Sequence, residues 1–149
     1  MSKLLILALF SVSHVYATTL EIIDSSGHVY SITEQDFSSL PTSQLTTWLP
    51  WHNETKTYSG VRMENLITAY DSNEISSLTL QAKNGYQIAV KYRMLVLHEA
   101  ILVNKVNFQP LPEKRGPYWL LFDVSKYPIT TNQYFRDQMI WQVKTITIN

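Results

Sequence analysis

Residues 78–82 and 86–90 alternate apolar and polar side chains on either side of Lys83-Asn84-Gly85, the pattern of two half-buried strands joined by a tight turn. This hairpin is the most constraining feature of the chain, because its register follows from the pattern alone. A two-residue Asn-Gly loop would pair Ala82 with Gln87 and Leu80 with Ala89. It would also put Leu78 and Leu80 on the opposite face from Tyr86, Ile88 and Val90. A three-residue loop instead pairs Ala82 with Tyr86, Leu80 with Ile88 and Leu78 with Val90, and all six share one buried face. That solution needs Gly85 in the left-handed region as a bulge, which glycine accepts at little cost. The three-residue loop is the expectation.

Short β-rich runs flank this unit. Residues 19–24 and 28–32 surround Ser25-Ser26-Gly27, a second hairpin signal. Thr33 followed by Asp36 reads as a helix N-cap with an acid at its third position, and Pro41 stops that helix after Phe37 and Leu40. Residues 45–51 read as a strand broken at Pro50, and Tyr58-Ser59-Gly60 as a turn. Met63, Leu66, Ile67 and Tyr70 recur at helical spacing. Residues 100–103 read as a strand ending near a turn at 104–107. A loop then runs from Pro110 and Pro112 through Glu113-Lys114-Arg115-Gly116-Pro117. A buried strand over 118–124, a short helix over 131–138 and a closing strand over 139–148 complete the chain. The alternation of the closing strand breaks between Val143 and Ile146, which predicts a bulge or two-sided burial. With no internal repeat and no linker, the reading is one α+β domain over residues 18–149, rich in strands, with short helices.

The first 17 residues read as an address. A positive start at Lys3 leads into the apolar run Leu4-Leu5-Ile6-Leu7-Ala8-Leu9-Phe10, and Val15 and Ala17 fit a signal-peptidase site with cleavage after Ala17. The run is too short for a membrane span of about 20 residues. The expectation is a periplasmic or secreted protein without a stable membrane span once the leader is removed.

Composition narrows the chemistry. Charge is balanced at zero with 16% charged residues, which argues against nucleic acid as a partner. Cysteine is absent, so disulfides, thiolate nucleophiles and sulfur-bound zinc are excluded. Among His28, His52 and His98 no pair has metal-ligand spacing, and there is no Gly-x-Ser-x-Gly elbow or phosphate-cradling glycine loop. No catalytic residue and no metal ligand can be assigned. Two clusters remain as candidate ligand or partner contacts. Trp48, Trp51 and His52 gather aromatic surface beside an imidazole, although tryptophans also serve core packing. Lys114 and Arg115 place two cations on a loop, suited to an anionic ligand or partner. As exposed charges they should contribute little to folding. Trp141-Gln142 reads as structural.

Taken in order, these pieces resemble the molybdopterin-binding domain of the sulfite-oxidase-like oxidoreductases, in particular its small exported relatives. The matching points are Thr47-Trp48, then Tyr58-Ser59-Gly60-Val61-Arg62-Met63 with Leu66-Ile67, then Asn84-Gly85-Tyr86. They continue with Lys114-Arg115-Gly116-Pro117-Tyr118-Trp119 and Met139-Ile140-Trp141-Gln142-Val143, covering residues 42–148. The resemblance implies an α+β fold with mixed, curved sheets. It also implies a cysteine thiolate on molybdenum shortly before Trp48, where this chain has Thr42-Ser43-Gln44-Leu45. A hydroxyl or amide oxygen is a poor replacement for that soft ligand. The sequence therefore leads to a non-catalytic exported binding or sensory accessory domain, without a cofactor, recognising a small anionic ligand or a periplasmic protein such as a membrane sensor. The alternative is a molybdopterin-dependent oxidoreductase or cofactor carrier lacking the cysteine ligand.

Overall fold

The structure, a computed structural model, describes residues 19–52, 54–126 and 129–149, and side chains within these except at 129–132. The leader and its cleavage after Ala17 lie outside the described residues.

Strands β1 (Leu20–Ile23) and β2 (Val29–Ile32) form the first hairpin, and α1 (Glu34–Ser39) follows. The helix begins as expected. The Asp36 N–H donates to the Thr33 hydroxyl at 3.1 Å, while the Thr33 N–H donates to the Asp36 carboxylate at 2.9 Å. Next come β3 (Thr42–Trp48), β4 (Thr55–Arg62), α2 (Met63–Thr68), β5 (Ser77–Ala82) and β6 (Gln87–Lys91). Then follow α3 (Tyr92–Leu97), β7 (Ile101–Val106), β8 (Gln109–Pro110) and β9 (Trp119–Leu121). A 3-10 turn (Val124–Lys126), α4 (Ile129–Gln138) and β10 (Val143–Ile148) end the chain.

The strands make two sheets, ordered β2-β1-β10-β5-β6 and β3-β4-β7-β8, with β9 also paired to β7. The β1–β10 pair is parallel and every other pair is antiparallel, so the fold is α+β with a mixed sheet. The core packs side chains from both sheets and from the short helices, including Leu20, Phe37, Leu66, Leu80, Leu102, Trp119 and Ile146.

The β5–β6 hairpin has the register read from its alternation. Leu80 lies opposite Ile88 and Leu78 opposite Val90, the Ala82 N–H donates to the Tyr86 carbonyl, and Gly85 has φ +87°. One detail differs. Tyr86 is 57% exposed, because the shared face runs past the edge of the core at the turn. The register shift between Val143 and Thr145 in β10 is the expected bulge.

Other boundaries moved. Residues 58–60 are not a turn but the centre of β4, and β3 starts at Thr42 and ends at Trp48, short of Pro50. The turn expected at 104–107 falls at Asn107 and Phe108, because β7 continues to Val106. The strand expected over 118–124 is β9 followed by the 3-10 turn, and the closing strand begins only at Val143. The helix expected over 131–138 belongs to α4, while α3 had no counterpart in the sequence reading.

Asp71 ties the first hairpin to the segment after α2. Its carboxylate accepts from the backbone N–H of Ser25 at 2.8 Å and of Asn73 at 2.9 Å. Hydrogen bonds from Ser25, the side chain foremost, and from the Asn73 backbone hold its pKa down at about 2. A depressed carboxylate stabilises the fold fully above the unfolded value near ~3.9, and this contribution is lost as pH falls toward the folded value. Asp71→Asn should therefore melt below the parent at pH 6, with the gap closing between about pH 4 and pH 2. A gap of equal size at pH 6 and pH 2.5 would contradict this.

Candidate functional site

The two sheets are stitched together at a cluster of tryptophans. Trp119 on β9 and Trp141, just before β10, form an isolated antiparallel bridge. Beside it the Leu120 N–H donates to the Ile140 carbonyl, and the Val143 N–H to the Tyr118 carbonyl. Trp119 is buried and donates its indole N–H to the Met139 carbonyl at 3.1 Å. Trp51, in the loop after β3, brings its ring to 5.8 Å from Trp119 and 6.1 Å from Trp141, tilted in the first pair and edge-on in the second.

Arg115 occupies the centre of this group. Its guanidinium carbon lies 4.0 Å from the Trp141 ring centroid, 5.1 Å from Trp119 and 5.7 Å from Trp51. Backbone bonds hold the residue there. Its N–H donates to the Pro112 carbonyl, and its carbonyl accepts from the N–H of Gln142, which has φ +53°. The Gln142 side chain donates to the Glu113 carbonyl at 3.0 Å, so the loop and the start of the last strand are one unit. Desolvation makes the charged guanidinium less favourable than in water. Among the described residues no acceptor pairs with the Arg115 side chain.

The five sequence candidates thus divide. Trp51, His52 and Arg115 come together. The His52 ring is 6.3 Å from Trp119, and its pKa is lowered, first by burial and then by Lys56 and Arg115. Lys114 projects from the same turn, exposed. Trp48 stands apart at the end of β3, 47% exposed, with no ring contact to the cluster among the described residues. Trp119 and Trp141 were missed as site residues; Trp141 is 37% exposed and offers the nearest ring to Arg115. No local signal joined them, since each is a single tryptophan in its segment, 22 residues apart in the chain. The premise that both cations are exposed holds for Lys114 but not for Arg115, which is half-buried among the indole rings.

A recess of about 350 Å³ opens beside the cluster, with Trp51 and Trp141 on its wall. A second, polar cavity of about 200 Å³ lies along β3 at Ser43, Gln44 and Leu45, where the family resemblance implies the thiolate. There Glu99, at φ +51°, pairs with both Arg62 and Lys126. These bonds, Arg62 first, lower the Glu99 pKa. The residues present do not fit a thiolate-held molybdenum. The donors on the strand are hydroxyl and amide oxygens, the cations Arg62 and Lys126 are balanced by Glu99 and Asp123, and the volume is below the ~300 Å³ of small-ligand pockets. No group of three His, Cys, Asp or Glu residues able to hold a metal ion occurs among the described residues, nor does a helix long and apolar enough to cross a membrane.

No family model matches the chain, and no curated protein matches it by sequence. Among solved structures it is similar to the sulfane dehydrogenase SoxCD from Paracoccus pantotrophus, with a TM-score of 0.65 and 13% identity over 87% of this chain. The chain spans 37% of that protein's chain. The likeness is one of fold: this chain shares an α+β scaffold of mixed sheets and short helices with part of an oxidoreductase.

Proposed function

We propose that this chain is an exported, non-catalytic binding or sensory accessory domain on a sulfite-oxidase-like, molybdopterin-oxidoreductase scaffold. Its ligand or periplasmic protein partner docks on the surface formed by Trp51, His52, Lys114, Arg115 and Trp141. The observation that carries this reading is the Arg115 guanidinium, whose carbon lies 4.0–5.7 Å from the centroids of three indole rings and whose side chain has no acceptor among the described residues. Cation–π contact uses the charge of the guanidinium without using its N–H donors, which can then take a carboxylate or phosphate in a fork geometry lysine cannot copy. The leader-like first 17 residues support export, and the fold shared with SoxCD supports the scaffold. The competing reading, a molybdopterin-dependent oxidoreductase or carrier, draws on that same likeness but lacks a soft ligand on β3.

Native mass spectrometry of the protein exported by its own host tests the assignment. The parent should carry a small anion or a partner that Arg115→Gln releases, while Lys114→Ala weakens retention less. Stability should split the same way. Lys114→Ala should stay within about 0.5 kcal/mol of the parent, whereas Arg115→Ala should lose about 1–2 kcal/mol of stacking. Equal retention by the parent and Arg115→Gln would overturn the assignment.

A further inference from the structure

We propose that the recess beside the tryptophan cluster binds a small organic anion with a flat aromatic body; this rests on the binding reading above and names its ligand class. The recess is about 350 Å³, within the usual range of ~300–1,000 Å³ for small-molecule sites. Three part-exposed rings line it, Trp51, Tyr86 and Trp141, over a floor of the buried Met139 and Ile140. Three exposed aromatic rings converging on one hollow is the arrangement of a recognition surface rather than of scattered surface apolar residues. Trp51 and Trp141 stand at 87° to each other, so a flat body can stack on one and meet the edge of the other.

Charge selects the head group. Arg136, from the last turn of α4, lines the recess; its Nε is buried with no hydrogen-bond partner among the described residues, while its Nη2 donates to the Gln133 side chain at 2.7 Å. That Nε is closed to solvent, so an anionic oxygen in the recess would meet the guanidinium as a charge, and complete the unmade bond only after a shift of the side chain. Arg115, 4.0 Å from the centroid of the lining Trp141 ring, adds a second positive charge close to the recess without lining it. The one carboxylate on the wall, Asp137, accepts from the Gln133 amide at 2.6 Å and keeps its charge, so it offsets Arg136 and the positive excess comes from Arg115 nearby.

Isothermal calorimetry on the intact exported chain with four probes tests this. They are 1-naphthylacetate, the uncharged 2-(1-naphthyl)ethanol, acetate and octanoate. Naphthylacetate should bind at least about tenfold more tightly than the alcohol or octanoate, and acetate should not bind at millimolar concentration. Arg136→Gln should bring the acid down to the alcohol. Tyr86→Ala, a change at an exposed ring with little bearing on folding, should weaken both. Equal binding of acid and alcohol, tighter binding of octanoate, or no binding of any probe would overturn the ligand class. If the probes fail while Arg115→Gln still releases the native cargo, only the ligand class falls. If Arg115→Gln also changes nothing, the binding reading itself falls.

Discussion

Gly60→Ala should destabilise the protein by about 3 kcal/mol or more in urea unfolding, the largest effect expected of any single methyl group in this chain. A Cβ on Gly60 would lie 2.0 Å from the Leu102 carbonyl oxygen and 2.5 Å from the Val103 Cα. Both obstacles are backbone, so no side chain can swing away, and the β4–β7 pairing itself would have to open. The register shift between Ser59 and Gly60 brings the two strands this close. Overpacking by a methylene in an adaptable core commonly costs about 1–3 kcal/mol, and a rigid site belongs at or beyond the top of that range. A loss below about 1 kcal/mol would show that the strands are not in such close contact.

Trp119→Ala is the second large expectation, at about 3–5 kcal/mol. The ring is almost fully buried and touches Trp51, Tyr58 and Trp141 while lying under the Arg115 guanidinium. Its loss leaves a cavity where the two sheets meet and removes the donor that satisfies the Met139 carbonyl. Because the same ring supports Trp51, Trp141 and Arg115, the variant should lose ligand retention along with stability. Trp119→Phe separates the two effects, since it keeps a ring against Arg115 but lacks the indole N–H. It should unfold between the parent and the alanine variant and keep part of the binding. A Trp119→Ala variant as stable as the parent would contradict the packing described here.

What could be read from the sequence followed the range of the interactions. The β5–β6 hairpin was legible because its register depends only on the alternation of neighbours and on Gly85. The capping of α1 was legible for the same local reason, Thr33 and Asp36 being three residues apart. Gly60 was misread because its requirement comes from β7, some 40 residues later. A glycine beside Ser and Tyr looks like a turn until the facing backbone is known. The helix α3 left no signal, since its N-cap Lys91 makes no side-chain capping bond. At the site, Trp51, His52 and Arg115 were found as local clusters, whereas Trp141 was set aside as structural. Nothing within ten residues of Trp141 announces Arg115; the contact is made by the Gln142 backbone, which bonds back to the Arg115 carbonyl.

On the function proposed above, this scaffold recognises a ligand and holds no thiolate-anchored metal centre. Metal and pterin analysis of the protein purified from its own host, with a parallel assay for oxidase and reductase turnover, tests it most directly. The expected result is no stoichiometric molybdenum, no pterin and no turnover in protein that still retains an anion or partner through Arg115. One molybdenum per chain with measurable turnover would contradict it.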